Sequence, residues 1–196
     1  IKSPAQITRR QYLKLLLATT AGLLAHRHAQ ATDHPTPPPP PPPSAHRVLS
    51  CNILLDLPEH TGNLSWQTKR RDACMAVIKS RNADIICLQE VGKSQNEEFV
   101  AAFPDYTSFG FHDPASDTNP KRFHAIRNVI LYRTARYEMT SQGSYWISKT
   151  PLIAGTGLDT KTLPRHVNWV RLRDKSTRKE FRVLNIHWSL EQNQRL

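Results

Sequence analysis

Apolar residues organise into runs only from His46 onward. "HRVLSCNILL" (46–55) is a compact apolar run broken by Ser50 and Asn52, short enough to predict a strand buried on both faces. In "SWQTKRRDACMAVIKSRN" (65–82), Trp66, Ala73, Cys74, Val77 and Ile78 recur at offsets of 7, 8, 11 and 12 with Lys and Arg between them, the pattern of an amphipathic helix. "ADIICLQE" (83–90) then predicts a second strand, which gives strand–helix–strand. "SQNEEFVAAF" (94–103) reads as another helix, and "NVILYR" (128–133), "ARYEMTSQ" (135–142), "VNWVRLR" (167–173) and "EFRVLNIHW" (180–188) read as strands. "DKSTRK" (174–179) predicts a hairpin turn between the last two. Helices and strands mixed in this proportion, with hairpins late in the chain, imply an α/β protein built as a two-sheet α/β sandwich rather than a doubly wound parallel sheet.

The first 45 residues contain almost no such pattern and hold most of the 15 prolines. "TRRQYLKLLLATTAGLLA" places Arg9 and Arg10 before a mildly apolar run that is about half the length needed to span a bilayer. "HAQA" follows, with small residues at Ala29 and Ala31. The order Thr-Arg-Arg-x-Tyr-Leu-Lys resembles a bacterial twin-arginine signal. That resemblance implies export of a folded protein to the periplasm or beyond, with the twin-arginine translocase as a transient partner and no stable membrane anchor. Residues 1–31 are thus expected to be an export signal. Residues 32–45 are expected to be a stiff spacer, because the rings of "PPPPPPP" enforce a polyproline II conformation. This leaves 46–196 as one domain, long enough to bury a core.

Charge and cysteine content change the picture little. Five of the 27 Lys and Arg precede Ala31 and no Asp or Glu does, leaving 22 basic against 16 acidic residues. So small an excess fits a phosphate-bearing partner and an ordinary solubility surface equally well. Cys51, Cys74 and Cys87 each sit in an apolar run with no C-x-x-C spacing, so zinc and redox motifs are absent and each is expected to be a buried free thiol. Trp146 and Trp169 are expected in the core.

Candidate chemistry lies at strand ends. Asn52, Glu90 and His187 each follow an apolar run, and strand ends that converge would bring an amide, a carboxylate and an imidazole to one rim. "LSCNILL", Trp66 with Arg70 and Arg71, "DIICLQEV", "RNVILYR", "GSYWISKTP", "PRHVNWVRL" and "RVLNIHW" occur in the order seen in the endonuclease/exonuclease/phosphatase superfamily, and the resemblance covers nearly all of 46–196. It implies a metal-dependent phosphoesterase on a deoxyribonuclease-like fold. Glu90 would be the principal metal carboxylate, with Asn52 orienting the metal or the phosphate. His187 would face the phosphate, and Asn128 and Arg165 would contact its oxygens. Oxygen ligands favour a hard ion, Mg²⁺ with Mn²⁺ or Ca²⁺ as substitutes.

The chain departs from the superfamily pattern around the histidine, where Ile186 replaces the usual Thr and Trp188-Ser189 the usual Leu-Asp. The later Gly-Asp-x-Asn and Asp-His blocks do not occur in it. With Ile1 at its start, it is therefore read as a C-terminally incomplete fragment, inactive alone and monomeric, with one sheet face uncovered. Nucleic acid, a phospholipid headgroup and a sugar phosphate all fit as substrate. A non-catalytic secreted binding module for an anionic polymer is the alternative.

Overall fold

In the computed structural model, residue 39 and residues 45–110, 126–158 and 164–188 are described. The expected export signal lies outside them, as does the proline-rich spacer apart from Pro39 and Ala45. Among these residues, the apolar run of "IICLQEV" becomes the central strand β2 (Ile85–Val91), buried at every position but Glu90. Strand β1 (Val48–Asn52) pairs parallel to β2 on one side. On the other side β4 (Arg127–Arg133) pairs antiparallel to β2, with β3 (Tyr106–Phe109) outside it. The first sheet is thus ordered β1-β2-β4-β3. The second is an antiparallel meander of β5 (Tyr137–Trp146), β6 (His166–Asp174) and β7 (Glu180–Ile186).

Successive side chains of β2 serve the two faces of the first sheet, as strand geometry requires. Ile86 and Leu88, with Val129 and Leu131 of β4, pack under helices α1 (Arg71–Ser80) and α2 (Lys93–Ala102), which contribute Met75, Ile78 and Phe99. Ile85 and Cys87, with Ile130 and Tyr132, face Tyr137, Val170 and Leu172 of the second sheet. Both faces of β2 are covered, so its sequence shows an unbroken apolar run rather than an alternation. The result is the α/β sandwich expected from the sequence.

Several local expectations are corrected. Strand β1 is an edge strand among the described residues, with alternating burial, and Val48 is 57% exposed. In the first helical segment Trp66, Met75 and Ile78 are buried while Val77 is 54% exposed. A π turn over Trp66–Arg70 precedes α1, and its wider pitch shifts the phase that a continuous 3.6-residue period assumes. Trp146 and Trp169 are only half-buried. The Trp146 ring stands 5.1 Å from that of His166, and Trp169 lies on the outer face of the second sheet with the Arg182 guanidinium 5.4 Å over its ring. A Cβ at Gly143 would stand 2.9 Å from the Trp169 indole, so glycine makes room for that ring. Cys87 is a buried free thiol, whereas Cys51 and Cys74 are half-buried.

Polar side chains join the sheets at both ends of β2. Near the exit of β2 the pairing with β4 breaks between Leu88 and Val91. There the Asn185 side-chain amide donates to the Leu88 and Val129 carbonyls at 2.8 Å each and accepts from Gln89 Nε2 at 2.7 Å. A buried carbonyl left by a broken ladder needs a donor, and β7 supplies it. At the opposite end Arg136 bridges the sheets, donating to Asp84 Oδ2 at 2.9 Å and Asp174 Oδ2 at 3.0 Å. Burial would raise the Asp174 pKa. Hydrogen bonds from Ser176, Thr177 and Arg136 outweigh it and hold the carboxyl well below the usual carboxylate range.

Candidate active site at the strand ends

Glu90 leaves the line of β2 because its backbone turns left-handed, with φ 58°. An L-residue held there costs about 1–2 kcal/mol, and the position falls inside the irregularity between Leu88 and Val91. Such bulges re-aim side chains, and strain of this kind concentrates at functional sites. The Glu90 side chain, 21% exposed, reaches the rim.

The end of β1 fixes it there. Asn52 Nδ2 donates to Glu90 Oε1 at 2.9 Å, and the Leu55 amide donates to Oε2 at 3.3 Å. The Leu54 amide donates to Asn52 Oδ1 at 2.9 Å. A backbone amide can only donate, so the Asn52 oxygen is committed to Leu54 and its NH₂ to Glu90. Leu54 is itself left-handed, with φ 59°. Arg70 Nη1 holds the carbonyls of Ile53 (2.6 Å) and Leu54 (3.0 Å). Gln95, fully buried on α2, donates to Leu54 O at 3.0 Å and accepts from Asp56 N at 3.1 Å and Gly92 N at 3.0 Å. Between Ser94 and Asn96, Gln95 carries no sequence signal beyond lying one turn before Phe99 on the same helix face.

The second sheet supplies the remaining groups. His187, immediately after β7, places Nε2 3.6 Å from Glu90 Oε1 and Nδ1 3.2 Å from Arg165 Nη1. A guanidinium has no acceptor, so Nδ1 must accept and the proton of the neutral ring sits on Nε2, facing Glu90. Burial lowers the His187 pKa and the Arg165 charge lowers it further, against the opposing pull of Glu90. Arg165 is also lowered by burial, again opposed by Glu90, and its Nε is buried with no hydrogen-bond partner.

Of the residues singled out in the sequence, Asn52, Glu90, Arg165 and His187 thus form one contact chain. Asn128 does not join it through a hydrogen bond: its Nδ2 donates to the His166 carbonyl at 2.8 Å, tying β4 to β6, and its Oδ1 is buried without a partner. Among the described residues no three His, Cys, Asp or Glu side chains converge as a metal-binding group. The donor set at the rim is one carboxylate, and Asn52 in this geometry orients that carboxylate rather than offering its own oxygen. A pocket of about 170 Å³ lined by Arg127, Trp146, Leu152 and His166 opens where β5 ends and β6 begins.

No protein-family model matches the chain. Its structural neighbours are endonuclease/exonuclease/phosphatase proteins. One such protein from Bacteroides vulgatus is 26% identical with a TM-score of 0.63, over 74% of this chain and 52% of that one. A mannosyl-6-phosphatase of Bacteroides thetaiotaomicron is 25% identical with a TM-score of 0.67, over 77% of this chain and 55% of the other. Among curated proteins, an uncharacterised protein of Acanthamoeba polyphaga mimivirus is 24% identical over 151 residues, 74% of this chain and 54% of its own length. The chain therefore spans about half the length of these relatives. The architecture is that of the endonuclease/exonuclease/phosphatase α/β sandwich, a phosphoesterase-like scaffold.

Proposed function

We propose that the chain carries the metal- and phosphate-holding part of a divalent-metal-dependent phosphoester hydrolase. The observation that carries this reading is the approach of Glu90 and His187 to 3.6 Å from two different sheets, with Glu90 held left-handed to reach the rim. A carboxylate flanked by an imidazole and a half-buried guanidinium suits a hard cation with an anionic ligand beside it. Mg²⁺ needs only one or two protein carboxylates, with water and substrate phosphate completing its shell, so Glu90 fits such an ion. When bound, the ion would offset the charge developing on the phosphoryl oxygens.

The remaining work falls to side chains. Asn52 and the Leu55 amide fix the Glu90 carboxylate. His187, protonated on Nε2, donates to a non-bridging phosphoryl oxygen, and Arg165 holds the imidazole in that tautomer while adding positive charge. Residues outside the described ones supply the group that activates water, so the described residues alone turn over little substrate. Removing a general base costs about 10²–10⁴ in rate.

The substrate is a phosphomonoester or phosphodiester. A sugar phosphate, nucleic acid and a phospholipid headgroup all fit this reading, the first in line with the likeness to a mannosyl-6-phosphatase. Export through the twin-arginine pathway and a monomeric state remain part of this reading. The binding-module alternative is disfavoured by Glu90, since a surface that only holds an anionic polymer has no use for a strained carboxylate at the rim.

The test compares this chain with an in-frame extended version on bis-p-nitrophenyl phosphate, mannose 6-phosphate, duplex DNA and sphingomyelin, with Mg²⁺ and with chelator. Chelator-sensitive turnover confined to the extended form is expected. Comparable turnover by the short form would show that the water-activating group has been misplaced, and none by either on a wider panel would return the weight to a binding module.

A further inference from the structure

We propose that Gln95 is a positioning residue for the Glu90 carboxylate, acting through the turn that follows β1. The proposal rests on the reading of Glu90 as the metal-binding carboxylate. Gln95 is fully buried near the start of α2. Its Oε1 accepts from the Gly92 amide at 3.0 Å and from the Asp56 amide at 3.1 Å, while Nε2 donates to the Leu54 carbonyl at 3.0 Å. The side chain therefore brackets Leu55, holding the residue before it by the carbonyl and the residue after it by the amide. Leu55 is the residue whose own amide donates to Glu90 Oε2 at 3.3 Å. Gly92 lies two residues after Glu90, so one side chain ties the exit of β2 to the turn that grips the carboxylate.

The second grip on Glu90 passes through the same turn. The Leu54 amide donates to Asn52 Oδ1, which leaves Asn52 Nδ2 for Glu90 Oε1. Leu54 is left-handed, with φ 59°, a conformation that persists only where its surroundings impose it. Gln95 Nε2 and Arg70 Nη1 meet its carbonyl from α2 and from the start of α1, each at 3.0 Å. The packing leaves no slack on the α2 side: a Cβ at Gly92 would stand 3.0 Å from Leu55 Cδ1 and 3.1 Å from Gln95 Oε1. The position needs one acceptor for two amides and one donor for a carbonyl. A side-chain amide supplies both, a carboxylate lacks the donor, and an apolar side chain supplies neither.

The experiment compares the wild-type 196-residue chain with Gln95→Met and Phe103→Leu. Phe103, at the far end of α2, is buried against Phe99, so its truncation weakens the same helix away from the turn. In metal-free protein, Gln95→Met should speed hydrogen exchange of the Leu55 amide more than that of the Leu88 amide in β2, the sign of local rather than global opening. Mn²⁺ affinity, read by water-proton relaxation, should fall about 10-fold or more, as it does when the support of a metal ligand is removed. Phe103→Leu should leave both readouts at their wild-type values. Gln95→Glu keeps the two accepted bonds and loses the donated one, so it too should release Leu55 selectively if Gln95→Met fails to fold. Wild-type Mn²⁺ affinity in Gln95→Met, an equal loss in Phe103→Leu, or unchanged Leu55 protection in the Gln95 variants would each overturn the proposal. Selective release of Leu55 in a protein whose wild type takes up no Mn²⁺ would uphold the clamp on Glu90 and sink the metal reading instead.

Discussion

Glu90 and His187 come from different sheets, yet His187 Nε2 stands 3.6 Å from Glu90 Oε1. Neither sheet contains the pair alone, so the rim exists only when the sandwich is closed. Asn185, two residues before His187, makes that closure specific by satisfying the Leu88 and Val129 carbonyls beside the Glu90 bulge.

Asn185→Ala should therefore be costly. It takes the side-chain donor from two buried carbonyls and the shortest of three hydrogen bonds from Gln89 Nε2, at a cost of about 2–4 kcal/mol. Gln89 Nε2 keeps Ser50 Oγ and the Cys87 carbonyl. Urea denaturation read by Trp fluorescence checks this, and a loss under about 0.5 kcal/mol would mean that water replaces the side chain without penalty.

In metal-free protein, His187 should titrate below its ordinary value of 6.5, because burial and Arg165 both disfavour the imidazolium. Arg165→Gln should raise the midpoint and Glu90→Gln should lower it, which NMR of the ring protons can follow. A depressed folded-state pKa contributes stability that is present above the unfolded value and lost as pH falls through the folded one. Chelated protein should accordingly lose stability as the solution is acidified below about pH 6.5. Opposite signs for the two variants would contradict the arrangement of charges.

The sandwich and most of its strands were legible because β2 and β4 are apolar runs and β6 alternates apolar with polar residues, and Asn52, Glu90 and His187 stood out as polar residues ending such strands. The four-residue β3 was too short for its pattern to show. Arg136, Asp84 and Asp174 look like ordinary surface charges in sequence, and only the pairing of two sheet edges reveals them as one buried bridge. The tie that Asn128 makes to the His166 carbonyl was hidden for a related reason. A polar residue beginning an apolar strand reads alike whether it faces a site or the carbonyl of a neighbouring strand.

The Arg136 bridge gives a second acid-sensitive element. Asp174 has a depressed pKa, so its contribution is present above the unfolded-state value of about 4 and lost as pH falls through the folded one. Arg136→Met should cost about 1.5–3 kcal/mol at pH 7 by removing the cation shared by two buried carboxylates. Asp84 keeps Arg133, and Asp174 keeps its Ser176 and Thr177 hydrogen bonds. Denaturation curves at pH 7 and pH 3 should show that penalty shrinking in acid. A penalty independent of pH would assign the loss to packing instead.

Replacing Arg9 and Arg10 together by Lys should strand the protein in the cytoplasm of a bacterium with a working twin-arginine pathway, whereas Lys2 and Arg27 should be replaceable. Fractionation and immunoblotting read the outcome, and efficient export of the Lys–Lys form would sink the assignment.

The most direct test of the site is paramagnetic. Mn²⁺ added to the chain should broaden the His187 ring resonances first and most strongly, and Mg²⁺ should compete the effect away. Glu90→Gln should abolish it while shifting metal-free stability by no more than about 1 kcal/mol, since the amide oxygen can still accept from Asn52. Selective broadening of His187 that depends on Glu90 is the predicted result. Broadening that spares His187, or that persists unchanged in Glu90→Gln, would contradict a metal and phosphate site at this rim.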